Sequence, residues 1–149
     1  MIEPNACIDC LRRARLLAHL APYIEKVSSA IPGSRSPELL RLSNEDLAAA
    51  VAPKIAAQVL AEVGAVPEQR LRADLLAAHC WACCRHDPAF PPGLNDAPDA
   101  PWALIGRGDS GLLGRLEPQG TVTIVGSRRA STYGREMALE LSRELAAAG

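Results

Sequence analysis

The residues of this chain best suited to chemistry fall into two groups. The first is the loop Gly126-Ser127-Arg128-Arg129-Ala130-Ser131. It follows the apolar β-branched run Thr121-Val122-Thr123-Ile124-Val125 and leads into an amphipathic stretch that ends at Gly149. Strand, glycine-started loop and helix N-terminus together make an anion-binding device. The free N–H groups of the first helical turn and the positive end of the helix dipole face whatever lies over the loop. Two adjacent arginines point to a phosphate, because a planar guanidinium fork clasps two oxygens at once. Ser127 and Ser131 add hydroxyl donors, and Ser131 is placed to cap a helix starting near Thr132. The candidate phosphate-binding residues are therefore Gly126, Ser127, Arg128, Arg129 and Ser131. A solvated strand-to-helix turn with two surface arginines fits the same spacing. The loop is not a dinucleotide fingerprint, since Arg128 and Ser131 stand where that pattern needs glycine. It is not a Walker A loop either, because no Gly-Lys-Ser/Thr follows.

The second group is the cysteines. Cys7-Ile8-Asp9-Cys10 and Cys80-Trp81-Ala82-Cys83 are two C-x2-C pairs, with Cys84 and His86 beside the second. Four thiolates in two such pairs suit tetrahedral zinc, each short spacing letting two sulfurs chelate from one turn. The candidate ligands are Cys7, Cys10, Cys80 and Cys83, with Cys84 and His86 as alternatives for the second pair. A structural zinc is the candidate cofactor. The stretch between the pairs is much longer than in a zinc ribbon, and free thiols serving as small core hydrophobes are the competing reading. Catalytic cysteine chemistry has less support, because His19 and His79 sit in helical context without an evident partner.

Several elements must position these groups. Apolar residues Leu11, Ala14, Leu17, Ala18, Leu20 and Ala21 predict a helix over 10–27, bent or interrupted at Pro22. Arg12, Arg13 and Arg15 load its first turns, and are expected on a solvated face balanced by Glu3 and Asp9. Ser43 with Asp46 three residues on reads as an N-cap for a short helix over 44–51. Pro53 opens the next helix, 54–63, which Gly64 ends. Pro67 starts a third, reaching about His79–Cys83. Residues 1–84 thus read as a helical domain, of helix-hairpin-helix or SAM-like type or a generic helical bundle. Pro88, Pro91, Pro92, Pro98 and Pro101 make 85–101 a proline-rich linker. Residues 102–149 then hold a short apolar strand, Trp102–Ile105, one helical turn near Gly111–Leu116, and the strand–loop–helix already described. Met137, Leu141, Leu145 and Ala148 form one stripe on the final helix, ready to pack on a sheet.

Composition narrows the function classes. A net charge of −1 gives no global basic field for nucleic acid, so polyanion binding needs a local patch. Aromatics are scarce, which disfavours a multi-base stacking platform. No apolar run reaches membrane-spanning length, and Met1–Asn5 lacks the pattern of a secretion signal, so the cytoplasm is the expected location.

With these motifs in view, the chain resembles a known family. Val125-Gly126-Ser127-Arg128-Arg129-Ala130-Ser131, followed by Tyr133-Gly134, resembles the signature of the DNA-processing protein A family (DprA, also called Smf). A second block agrees in order and spacing: Arg85-His86-Asp87-Pro88, Phe90-Pro91 and Leu94, then Pro98-Asp99-Ala100-Pro101-Trp102-Ala103-Leu104, then Gly106-Arg107-Gly108-Asp109. Phe90 stands where the family more often has tyrosine. The resemblance is specific over about 85–149 and weaker before it. It implies a chain of α plus α/β class, with a small helical domain followed by the first strand–helix unit of a Rossmann-like fold. It identifies the chain as the N-terminal portion only of such a protein, a truncated fragment lacking the rest of that fold. The implied function is non-enzymatic: binding and protecting single-stranded DNA during natural transformation, and helping to load the RecA recombinase. Gly126, Ser127, Arg128 and Arg129 would grip the phosphate backbone, and full-length members form homodimers. A nucleotide-binding Rossmann-like enzyme, of nucleoside monophosphate hydrolase type, is one rival. A helical interaction module with a vestigial tail is another.

Overall fold

A 22-residue helix, α1 (Ile8–Ser29), carries much of the packing and continues without interruption through Pro22. The computed structural model describes residues 6–29, 37–97, 99–115, 121–127 and 129–148. Along the chain follow α2 (Pro37–Arg41), α3 (Asn44–Val51), α4 (Ala56–Ala65) and α5 (Glu68–Ala77), then strand β1 (Trp81–Cys84). After these come α6 (Pro92–Asn95), β2 (Ala103–Gly106), a 3-10 turn (Ser110–Arg115) and α7 (Thr132–Ala148). The chain is mixed α and β, with a helical N-terminal stretch and a small antiparallel sheet of two strands. It divides into two compact units, Met1–Gly114 and Arg115–Gly149.

Local chemistry explains most of the helices. Ser43 caps α3, its hydroxyl oxygen accepting the Asp46 N–H at 3.0 Å while its O–H donates to the Asp46 carboxylate at 2.8 Å. Pro53 lies in the turn ahead of α4 rather than opening it, and Gly64 sits inside the last turn. Leu16 and Leu20, one turn apart on α1, are fully buried against Leu47, Ala48 and Val51 of α3 and Val59 and Val63 of α4. A second core gathers Ala6, Cys10 and Leu11 at the start of α1, Leu71 of α5, and Ala82 and Cys84 of β1.

The sharpest departure from the sequence reading is at residues 78–84. The helix expected to reach His79–Cys83 stops at Ala77. His79 adopts a left-handed conformation (φ 52°), its N–H donating to the Leu76 carbonyl, while the Cys80 N–H reaches the Leu75 carbonyl at 2.8 Å. These are the two bonds of a Schellman C-cap, which satisfy carbonyls the helix end leaves open. Glycine usually fills this position, and histidine gave no stop signal. His79→Gly is expected to raise stability by about 1 kcal/mol by removing the Cβ penalty, read as a higher urea midpoint. An unchanged or lower midpoint would contradict that account.

Beyond the cap the chain is extended, and β1 pairs antiparallel with β2 in the register Trp81↔Gly106 to Cys84↔Ala103. Trp81 lies over Gly106, where an added Cβ would overlap its ring. On the other edge of β1 the Ala6 N–H donates to the Ala82 carbonyl at 3.1 Å. The proline-rich stretch between the strands is not an extended linker. It folds into successive turns, with Asp87 N–H donating to Cys84 O and Phe90 N–H to Asp87 O, around a buried Phe90 and Pro91.

Arg13 also departs from expectation. It is buried rather than solvated, donating to Asn44 Oδ1 at 2.8 Å and to the Leu40 carbonyl at 3.0 Å. Its guanidinium lies 5.5 Å from the centroid of Trp102, which also receives Arg85 at 4.5 Å.

In the second unit, Ser131 caps α7 as expected, its hydroxyl accepting the Gly134 N–H at 3.1 Å. The expected strand Thr121–Val125 belongs to no sheet among the described residues, and Val122 and Val125 are 65% and 85% exposed. A β-branched run favours extended backbone, but a strand exists only with a partner to take its ladder bonds. Leu141 and Leu145 of the α7 stripe are likewise exposed.

Candidate functional site

Cys7 immediately precedes α1 and its carbonyl accepts the Leu11 N–H at 3.1 Å, so Cys7 and Cys10 lie one turn apart at the helix start. Cys84 ends β1, and His86 follows two residues later. The Sγ atoms of Cys7, Cys10 and Cys84 and a ring nitrogen of His86 all lie within 4.8 Å of one another. His86 Nδ1 stands 3.4 Å from Cys7 Sγ, 3.5 Å from Cys10 Sγ and 3.9 Å from Cys84 Sγ. The cluster can coordinate a metal ion.

The Nδ1–Sγ distances suit tetrahedral zinc coordination. Zinc–sulfur and zinc–nitrogen bonds of about 2.3 and 2.05 Å at tetrahedral angles put sulfur and nitrogen about 3.6 Å apart. Hydrogen bonding alone accounts for the group less well. One Nδ1 offers either a single lone pair or a single N–H, and here three sulfurs surround it. The Cys7 N–H also donates to Cys84 Sγ at 3.5 Å, a contact that stabilises a thiolate.

The electrostatics of the metal-free thiols reflects this crowding. Burial, the Cys7 side chain and the neighbouring Cys84 push the Cys10 thiol up to about 12. Burial would also raise Cys84, but backbone N–H donors from Cys7 and His86, with the side chains of Cys7 and Cys10, outweigh it and hold Cys84 below the ordinary thiol range.

Cys80 and Cys83, the expected second pair, do not reach this cluster. A helix would have set them on one face. In β1, successive side chains alternate, so Cys84 shares the Ala82 face and Cys83 points the other way. Cys83 is buried apart, its thiol raised to about 11 by burial, Asp87 and Cys84. Cys80 contacts the Ala78 carbonyl at 3.5 Å. The alternatives Cys84 and His86 supply the two remaining donors.

Gly126, Ser127, Arg129 and Ser131 of the second unit are exposed. Ser127 Oγ accepts the Arg129 N–H at 3.2 Å, folding the loop back on itself ahead of α7. Gly126 has open space where a Cβ would stand. No acidic side chain pairs with Arg129 among the described residues. Arg128 lies outside them. The Ser131 hydroxyl oxygen is engaged as the helix cap and Arg135 bonds the Ala130 carbonyl at 2.9 Å, which orders the loop's exit.

Residues 81–149 match the family model described as DNA recombination-mediator protein A. The match opens on the first residue of β1, takes in Cys84, His86 and the Gly126–Ser131 loop, and covers less than half of the chain. It supports a DNA-handling role. It also corrects the expectation that the chain is the N-terminal portion of the family. The matched residues are the C-terminal region of this chain, and the helices before residue 81 lie outside the match. The motifs explain this distribution, since both signature blocks fall after residue 84 and the helices carry only amphipathic periodicity. No curated protein and no solved structure gives a significant match. Among the described residues, no helix is long and apolar enough to cross a membrane.

Proposed function

We propose that this chain binds single-stranded DNA in the cytoplasm through its Gly126–Ser131 loop, shields the strand, and helps load RecA onto it, acting by binding alone. The observation that carries this reading is the family match over 81–149, which includes the loop. The exposure of Gly126, Ser127 and Arg129 ahead of a capped 17-residue helix supports it. An exposed serine, an arginine and a helix N-terminus hold a phosphodiester without reading bases, so binding is tolerant of sequence and sensitive to salt. In this proposal residues 102–149 belong to a Rossmann-like unit.

Titration of fluorescent oligo-dT tests the reading. The double substitution Arg128→Ala/Arg129→Ala is expected to weaken binding and to flatten the dependence of log K on log salt by about 1.4, from two lost phosphate contacts. Arg143→Ala, on the exposed side of α7, removes a charge away from the loop and is expected to leave that slope unchanged. Equal affinity and slope for the double variant and the parent would remove the loop from the site. The parent protein is also expected to speed RecA filament assembly on the same oligonucleotide, and the double variant is not.

A further inference from the structure

We propose that Cys7, Cys10, Cys84 and His86 Nδ1 bind one structural Zn2+ that staples the start of α1 to the end of β1. The inference is independent of DNA binding. It rests on four donor atoms from two distant segments converging within 4.8 Å, with Nδ1 at 3.4–3.9 Å from three sulfurs. Three sulfurs and an imidazole make a soft set without oxygen, which selects zinc over magnesium or calcium. Four protein ligands close the tetrahedron and leave no position for a reacting water, so the site is structural. As the metal binds, each thiol that is still protonated releases its proton to solvent and the sulfur takes the metal.

The fold is prepared for this staple from both sides. The Ala6 N–H bonds β1 at Ala82, and an Arg72 guanidinium N–H donates to the Ala6 carbonyl at 3.3 Å, so the chain reaches Cys7 already laid along the strand. Cys10 and Cys84 are buried members of the adjoining core, while His86 closes the exposed side. Two ligands lie in the helical segment outside the family match and two inside it. The metal therefore ties the start of α1 to the first strand of the matched region, within the unit Met1–Gly114.

The test is elemental analysis of the full chain purified without chelator, with cobalt substitution as a second readout. About one zinc per chain is expected, and the cobalt form should show the absorption of a tetrahedral thiolate site. His86→Ala removes an exposed ligand and should leave the fold intact. It is expected to lower zinc affinity by roughly tenfold or more and to alter the cobalt spectrum. Cys84→Ser should do the same, whereas Cys80→Ser should keep both metal and spectrum. A parent chain that takes up no zinc even when zinc is supplied would overturn the proposal. Iron in its place, a Cys7–Cys10 disulfide, or a His86→Ala variant with undiminished affinity would each do so too.

Discussion

Stripping zinc from the full chain with a chelator is expected to lower its unfolding free energy by about 4 kcal/mol when the reference state holds free zinc a thousandfold above the dissociation constant. The size follows from linkage: a metal that binds the folded chain and not the unfolded one adds its occupancy to folding. The loss should be uneven. Cys10 and Cys84 belong to the core formed with Ala6, Leu11, Leu71 and Ala82, so this end of α1 loses its clamp directly. The other core lies further along the same helix, around Leu16 and Leu20, and does not touch the ligands. Leu16 lies six residues beyond Cys10 on α1, about 9 Å along the helix axis, so the two cores meet the helix at successive turns. Urea unfolding with and without chelator measures the total. Hydrogen exchange at the Ala6 N–H and across β1 should rise more than exchange in α3 and α4. An unchanged midpoint would mean that the cluster contributes no metal-linked stability.

Arg13→Ala is the second large effect, with an expected loss of about 3 kcal/mol in the same urea measurement. Arg13 is 3% exposed, bonds Asn44 and the Leu40 carbonyl, and lies over the Trp102 ring, as Arg85 does. Burial lowers its pKa, and the nearby Glu45 opposes that shift. An arginine stays protonated throughout, so the cost of burial is offset by the two hydrogen bonds and the indole face, while Nε has no partner among the described residues. Alanine removes the bonds and leaves a void beside Trp102. Arg13→Met fills much of that void without a charge and should lose less, because an apolar side chain of similar size avoids the desolvation cost. Arg13→Lys should fall near alanine, since an ammonium lacks the planar fork that reaches two acceptors and stacks on a ring. Equal stability of the Ala and parent chains would show the buried guanidinium to be energetically idle.

What the sequence alone determined is local. Ser43 and Ser131 cap their helices because the acceptor and the N–H it satisfies lie three residues apart. Helix α3, the apolar strand after Trp102 and the amphipathic α7 were legible for the same reason, each being set by neighbours within a turn or two. The Cys7–Cys10 half of the candidate metal cluster could be named from its spacing.

Tertiary structure decided the rest, where the partner of each group lies far along the chain. His79 in a left-handed C-cap turned an expected helix into β1, and that change of period from 3.6 to 2 exchanged Cys80 and Cys83 for Cys84 and His86 as the partners of Cys7 and Cys10. Arg13 left its expected solvated face because Asn44, the Leu40 carbonyl and Trp102 converge on it from three segments. The run Thr121–Val125 has strand composition yet joins no sheet among the described residues, since extended backbone becomes a strand only when a second segment bonds to it. Helix caps depend on near neighbours and are written in the sequence; strands, buried charges and metal ligands depend on distant ones, and only the folded chain brings those together.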